Sequence, residues 1–269
     1  MNRQFDVIII GDSKAGNTAV KSIAGANRNI KVAVISREFK RSTTRDFLNA
    51  EYIKDEVSYV DYNRGLFGCY LKSGLRYYCT HLIIATGLSY APFKVGNKII
   101  PGVFNTISEI PKAAKQQVAV VVGNRIADTK LALAAAKKYK YVYLCTDAMN
   151  IVVNESIDKK LNNAENLLII KNASIAKATF DEEDLVSVTL DNYTKITCNA
   201  IFAITEATPE TEFISEKFFN KENGYLKTTS MAQSLVVPKL FAIGNCACKS
   251  TKKMQASMVE VILNDFSGG

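Results

Sequence analysis

The sequence has no tryptophan, only one histidine and no Cys-x-x-Cys pair. Zinc sites in proteins are built from clusters of cysteine and histidine, so we expect no metal centre in this chain. A catalytic disulfide needs two thiols at close and suitable spacing, and the six cysteines are instead scattered along the sequence. Cys246 and Cys248 are the only close pair, and our first interpretation is that they are two reduced thiols without a redox role.

Long hydrophobic runs are also missing, and none approaches the ~20 residues that span a bilayer. The first predicted strand begins by residue 7, which leaves no visible secretory signal, so we expect a cytoplasmic protein without a membrane partner. The net charge is +8, but the lysines are spread along the chain and no nucleic-acid-binding module is recognisable. The charge therefore favours an anionic cofactor or an acidic protein partner, and we expect no nucleic acid.

The rest of the chain is organised around residues 6–16. Residues 7–10 are apolar without alternation, which predicts a strand buried on both faces of a parallel sheet. A helical pattern follows Gly16, and residues 30–35 supply a second strand. A strand, a glycine turn and a helix together can hold a pyrophosphate, because the helix N-terminus offers unpaired amides to an anion.

The glycine fingerprint of such a turn is imperfect. Gly11 and Gly16 hold its outer positions, but Ser13 replaces the middle glycine. The serine hydroxyl could bond a phosphate oxygen or crowd it, and the sequence leaves both interpretations open. A βαβ unit that binds no nucleotide, with glycines that only make the turn, is the simpler alternative.

The same pattern returns in the second half of the sequence. Residues 118–122 are continuously apolar and end at Gly123, a helical pattern covers residues 127–139, and residues 141–145 form the next predicted strand. This internal repeat predicts an α/β protein with two Rossmann-like, dinucleotide-binding domains.

Three segments together resemble one family: the opening βαβ unit, the strand end Ala85-Thr86-Gly87, and Leu-Phe-Ala-Ile-Gly-Asn at residues 240–245. They are similar to the pyridine nucleotide-disulfide oxidoreductases, which are flavoprotein reductases. The resemblance implies three-layer ββα domains, with the second inserted in the first. The implied FAD-binding domain comprises residues 1–108 plus 224–269, and the implied NAD(P)H-binding-like domain comprises residues 109–223.

The same resemblance assigns the FAD pyrophosphate to the first turn, its ribose to the end of the second strand and its ribityl chain to the C-terminal glycine. The implied FAD-binding residues are Gly11, Ser13, Ala15, Gly16, Ser36, Arg37, Glu38, Arg45, Ala85, Thr86, Gly87, Gly244 and Asn245. Ser36 stands where the family carries an acid, and Glu38 could substitute for it. Asn245 keeps a hydrogen-bonding side chain but lacks the charge of the usual aspartate.

The second turn departs further from the fingerprint. Arg125 falls where close backbone approach needs glycine, and Asp128 adds negative charge where phosphates would dock. Gly123 and Asp147 are the remaining candidates for binding NAD(P)H. Asp147 stands where NADPH enzymes carry basic residues, and a carboxylate there can bind an adenosine ribose, so the sequence favours NADH.

Residues 34–38, with Arg45 and Leu48, are similar to NADH:rubredoxin and ferredoxin reductases. That branch implies an FAD-dependent oxidoreductase that passes electrons from NAD(P)H to a small redox protein, and the sequence identifies no catalytic residue. Two alternatives stay open. One is a non-catalytic flavin- or nucleotide-binding scaffold, and the other is a thioredoxin reductase-like disulfide reductase that uses Cys246 and Cys248. The oligomeric state is open, with a homodimer as one option.

Overall fold

The computed structural model describes residues 3–39, 50–106, 109 and 116–267. The chain divides into two compact units. The first unit comprises residues 1–89 and 208–269, and the second comprises residues 90–207. The second unit is thus inserted in the first, as the predicted fold class requires.

These transitions lie at residues 89 and 207, whereas sequence analysis placed them at residues 108 and 223. Phe104 accounts for the first difference, because its backbone already bonds to Ile201 and Ala203 in the sheet of the second unit. Ile214 and Phe219 account for the other, because both are buried in the same core cluster as Phe67 of the first unit. Both boundaries are set by long-range packing, which the local sequence of these crossovers does not reveal.

Elements are numbered in chain order. The helices are α1 (Lys14–Ala26), α2 (Ile126–Ala136), α3 (Glu155–Asn162) and α4 (Lys252–Asp265). The strands of the first unit are β1 (Arg3–Ile10), β2 (Val32–Ser36), β3 (Ala50–Lys54), β4 (Val57–Asn63), β5 (Leu66–Leu71), β6 (Arg76–Ile84), β18 (Lys221–Glu222), β19 (Tyr225–Leu226) and β20 (Leu240–Ala242). The strands of the second unit are β8 (Lys94–Val95), β9 (Lys98–Ile99), β10 (Val118–Val122), β11 (Tyr141–Cys145), β12 (Leu167–Ile170), β13 (Ile175–Asp181), β14 (Asp184–Leu190), β15 (Lys195–Thr197) and β16 (Ala200–Ala203). Strands β7 (Leu88–Tyr90) and β17 (Ala207–Pro209) include the two transitions.

The sheet of the first unit joins both ends of the chain. Its strand order is β3-β2-β1-β6-β5-β4, and β1 to β3 and β6 run parallel. The long strand β6 changes partner along its length: its first half pairs antiparallel with β5, and its second half pairs parallel with β20. The C-terminal segment therefore lies at the same sheet edge as the first glycine turn.

Two apolar clusters hold this sheet. Val20 and Ile23 of α1 pack with Met258 and Ile262 of α4 against one face, and all four side chains are buried. The other face is covered by the antiparallel strands and by the segment around Phe219. Complete burial of an aliphatic side chain contributes about 1.5–3 kcal/mol, so the α1–α4 layer is a major source of stability for the turn that precedes α1.

The second unit repeats the βαβ pattern. Strands β12, β11, β10 and β16 form a parallel sheet in that order, and α2 connects β10 to β11. The antiparallel sheet β13-β14-β15 packs beside it around Val188 and Ile201. The predicted repeat is therefore confirmed. No helix in the described ranges is long and apolar enough to cross a membrane.

The one histidine ties the C-terminal helix to the sheet. His81 on β6 is 1% exposed, and its Nε2 lies 3.0 Å from Oδ2 of Asp265 on α4. Its Nδ1 lies 3.0 Å from Oγ1 of Thr80, and Lys239 also contacts Asp265, at 3.1 Å. Burial, opposed by the hydrogen bond to Asp265, lowers the pKa of His81. His81 is thus a structural residue here, as a histidine at a strand entrance usually is.

This histidine predicts a pH dependence of folding. Because its pKa is lower in the folded state than the ordinary ~6.5, the unfolded chain binds the proton more readily. Stability should therefore fall as the pH drops from 7 to 5, and a His81→Gln variant should show a flatter profile. The pKa of Asp265 is also lowered, mainly by its hydrogen bond to His81, but that contribution is lost only at more acidic pH. Urea unfolding at several pH values checks this, and parallel profiles for the two proteins would contradict it.

Candidate functional site

The first glycine turn leaves β1 in a conformation that only glycine adopts easily. Gly11 has φ +110°, and a Cβ atom built on it would lie 2.5 Å from the carbonyl oxygen of Ala85. Gly16 is likewise closed in, since its Cβ would lie 2.5 Å from the oxygen of Gly11. These two contacts bring the ends of β1 and β6 together beneath the N-terminus of α1.

The N-terminus of α1 has a neutral cap and two unpaired donors. The Ser13 hydroxyl accepts a hydrogen bond from the amide of Gly16 at 3.2 Å. Within the described part of the chain, the amides of Lys14 and Ala15 donate to no protein acceptor. Asp12, the nearest carboxylate, is engaged by Nδ2 of Asn17 at 2.7 Å. Two unpaired amides and the positive end of the helix dipole fit a pyrophosphate.

The C-terminal glycine faces this helix end. A Cβ atom on Gly244 would lie 3.1 Å from Cβ of Ala15 and 4.0 Å from Oγ of Ser13. The amide of Gly244 donates to Oγ of Ser250 at 2.8 Å. Asn245 is exposed and makes no side-chain hydrogen bond to another described residue. The predicted residues from both chain ends therefore meet at one place.

The end of β2 is linked to the end of β6 by a residue that sequence analysis missed. Arg37 forms an ion pair with Glu210, and this hydrogen bond raises the pKa of Arg37. The backbone of Glu210 accepts a hydrogen bond from Oγ1 of Thr86 at 2.6 Å and donates one to the oxygen of Gly87 at 3.2 Å. Because β1 lies between β2 and β6, the ion pair passes across the carboxyl end of β1. The only signal in the sequence was the turn at Thr208-Pro209.

The remaining residues predicted for the FAD site differ in how far they are available to a ligand. The Ser36 hydroxyl donates to the backbone oxygen of Glu38 at 2.8 Å, so it is already used within the loop. The Glu38 side chain is exposed. Gly87 has φ +79° and open space where a Cβ would stand. Arg45 lies outside the described residues.

The second glycine turn has a buried carboxylate of the chain itself packed against it. Asp128, in the first turn of α2, is 0% exposed, and its Oδ2 accepts hydrogen bonds from the backbone amide of Arg125 at 3.0 Å and from Nε at 2.9 Å. Its Oδ1 accepts from Nη2 of Arg125 at 3.0 Å. A Cβ atom on Gly123 would lie 2.3 Å from this carboxylate. Because this carboxylate already uses the amide of Arg125 at the helix N-terminus, that amide is not available to a pyrophosphate in this form of the turn.

Asp147 lies one residue beyond Thr146, which follows β11 directly. Its side chain is exposed, whereas Thr146 is buried, and the hydroxyl of Thr146 accepts from the amide of Ala148 at 3.1 Å. Gly123 and Asp147 thus stand at the carboxyl ends of neighbouring parallel strands, β10 and β11. That is where ligands bind in open α/β sheets.

No disulfide joins any of the cysteines, all of which lie in the described residues. All six cysteines are free, and Cys246 is buried with its Sγ 3.3 Å from the oxygen of Ile243. Cys248 is exposed, and its Sγ faces the oxygen of Tyr225 at 3.7 Å. Burial raises the pKa of Cys246, and it raises the pKa of Cys145 to about 12. A buried thiol with a raised pKa is a poor nucleophile, since the thiolate is the reactive form.

Comparison with solved structures shows the same architecture. Thioredoxin reductase from Streptococcus pyogenes MGAS5005 is 17% identical over 100% of both chains, with a TM-score of 0.68. The enzyme from Lactococcus lactis is 17% identical over 98% of both chains, with a TM-score of 0.66. That from Giardia duodenalis is 19% identical over 99% of both chains, with a TM-score of 0.64. At these identities the likeness shows the fold.

No curated protein matches the sequence. The sequence model of the pyridine nucleotide-disulphide oxidoreductase family matches residues 46–260, which is more than half of the chain. The match includes the strand end at Ala85-Thr86-Gly87, the second glycine turn and the C-terminal Gly244-Asn245. The chain therefore belongs to the pyridine nucleotide-disulphide oxidoreductase family, and it is an FAD/NAD(P)H-dependent oxidoreductase with a thioredoxin reductase-like fold.

Proposed function

We propose that this oxidoreductase binds FAD in the first unit and delivers electrons to a small redox protein without a disulfide of its own. The observation that carries the proposal is the parallel pairing of β20 with β6, which sets Gly244 against the N-terminus of α1. FAD, when bound, supplies hydride acceptance and electron release, and the protein supplies binding and orientation.

The chain's own residues have distinct tasks in this proposal. The amides of Lys14 and Ala15 bind the pyrophosphate, and the neutral Ser13 cap leaves the positive end of α1 for that anion. The exposed side-chain amide of Asn245 binds a hydroxyl of the ribityl chain in this proposal. Arg37, directly after β2 and paired with Glu210, is assigned to the adenosine side of the cofactor.

The choice of a redox-protein acceptor rests on the thiols and on charge. Cys246 and Cys248 contact different carbonyl groups, and burial raises the pKa of the Cys246 thiol. A net charge of +8 favours an acidic acceptor through long-range attraction. For the reductant we propose NADH over NADPH, because the exposed carboxylate of Asp147 would repel a 2′-phosphate.

A variant that lacks both Cys246 and Cys248 tests the proposal. The purified protein should be yellow with bound flavin, and NADH should bleach it anaerobically faster than NADPH. A Cys246→Ser/Cys248→Ser variant with normal flavin content should keep more than about half of its NADH-dependent reduction of a one-electron acceptor. Loss of that activity with flavin retained would favour the disulfide reductase alternative. A colourless protein that gives no thermal shift with FAD would overturn the proposal itself.

A further inference from the structure

We propose that Asp128 is an internal competitor for the anion site of the second turn, so that a dinucleotide pyrophosphate binds there only by displacing its carboxylate. The inference rests on the proposed function, because it concerns how the same enzyme takes up its reductant. Asp128 thereby sets the affinity of the enzyme for pyridine nucleotide.

The geometry places the carboxylate on a backbone amide at the N-terminus of α2 that a bound anion would otherwise use. Asp128 is completely buried and lies at the third position of α2, and it accepts three hydrogen bonds from Arg125, one of them from the backbone amide at the helix N-cap. A Cβ atom built on Gly123 would lie 2.3 Å from this Oδ2, so the carboxylate is held close against the glycine turn. Helix N-termini bind one anion at this position, and here the anion is part of the chain.

Arg125 reinforces this arrangement. Its side chain is 59% exposed, but Nε and Nη2 both donate hydrogen bonds to the carboxylate of Asp128. Nη2 also donates to the backbone oxygen of Ile204 at 2.6 Å. The hydrogen bond to Asp128 raises the pKa of Arg125, so the guanidinium stays charged and paired. A phosphate that entered would have to break charge-assisted hydrogen bonds and approach a carboxylate of like charge.

The first turn of the same chain gives the internal comparison. There the N-cap side chain is the neutral hydroxyl of Ser13, and the amides of Lys14 and Ala15 have no protein acceptor in the described residues. Both turns follow a buried parallel strand and precede a helix, but five residues after the turn glycine the first has Gly16 and the second has the carboxylate of Asp128. One turn is open to an anion, and the other is already neutralised.

The test measures binding of ADP-ribose, which keeps the pyrophosphate and cannot reduce a flavin. Isothermal titration calorimetry should show that Asp128→Ala binds ADP-ribose at least about tenfold more tightly than the wild type, because a competing charge has been removed. Adenosine, which lacks phosphate, should bind both proteins equally. Glu155→Gln is the matched control, since it removes an exposed acid from the first turn of α3 and should change nothing.

Equal ADP-ribose affinities in the wild type and in Asp128→Ala would overturn the inference. Asp128→Asn, which keeps the shape of the side chain, provides a second variant if the alanine variant does not fold. If both variants fail to fold, the affinities of the wild-type protein are compared instead. Its dissociation constant for ADP-ribose should lie within about threefold of that for adenosine, and a preference for ADP-ribose of tenfold or more would contradict the inference. Flavin content is measured separately, so a colourless protein would refute the proposed function while this comparison still gives an answer.

Discussion

A Ser13→Asp variant is expected to fold as well as the wild type and to lose its FAD. Aspartate is as good an N-cap as serine, and its charge suits the helix dipole, so α1 should be at least as stable. The same charge would stand beside the pyrophosphate. Two unit charges ~4 Å apart interact by about 4 kcal/mol at an effective dielectric constant of 20, and half of that lowers affinity by about 30-fold. Flavin absorbance after gel filtration and FAD titration of the apoprotein measure the effect.

Asn154→Asp is the control for this substitution. Asn154 is the N-cap of α3, where its side chain accepts from the amide of Ile157 at 3.0 Å, so the change adds the same charge at an equivalent helix position. It should leave FAD binding unchanged. Ser13→Gly, which restores the glycine fingerprint, should retain FAD at a cost of only a few tenths of a kcal/mol in capping. Normal FAD affinity in Ser13→Asp would mean that the cofactor does not use this helix end.

A Gly11→Ala variant is expected to lose about 3 kcal/mol or more of unfolding free energy. Its φ of +110° is unfavourable for any residue with a Cβ, and that atom would lie 2.5 Å from the Ala85 oxygen and 2.8 Å from Cα of Thr86. Both contacts are with backbone, so no side-chain rotation relieves them. The ends of β1 and β6 would have to separate, which should also reduce FAD binding. Urea unfolding followed by circular dichroism measures the loss.

A Gly65→Ala variant separates the cost of the positive φ from the cost of the backbone contacts. Gly65 has φ +84° in the turn between β4 and β5, with open space around its missing Cβ. Its substitution should cost about 1 kcal/mol through backbone strain alone. The additional loss of unfolding free energy in Gly11→Ala then measures the effect of the close approach of the two strand ends. Similar losses at both positions would show that the contact between Gly11 and Ala85 is not tight in solution.

The sequence predicts the parallel strands and the two glycine turns because they depend on local patterns. Residues 7–10 and 118–122 are continuously apolar, which is typical of strands buried on both faces, and the structure places them in β1 and β10. The meeting of Gly244 with the first turn was not visible in local patterns. It came from the resemblance to the family, and the pairing of β20 with β6 now shows it directly.

Other features of the sites depend on side chains that meet across the sequence. Glu210 reaches Arg37 and Thr86, which are more than a hundred residues away, and the turn at Thr208-Pro209 beside it does not indicate these partners. The negative charge of Asp128 at the second turn was visible in the sequence. Its complete burial and its pairing with Arg125 were not, because helix position alone does not fix where a side chain points.

Titration of the purified apoprotein with FAD tests the central claim most directly. With the pocket shared by both ends of the chain, one equivalent of FAD should bind per chain. The melting temperature should then rise with the logarithm of the FAD concentration above its dissociation constant. A protein that takes up no FAD and shows no thermal shift at saturating FAD concentrations would contradict the account.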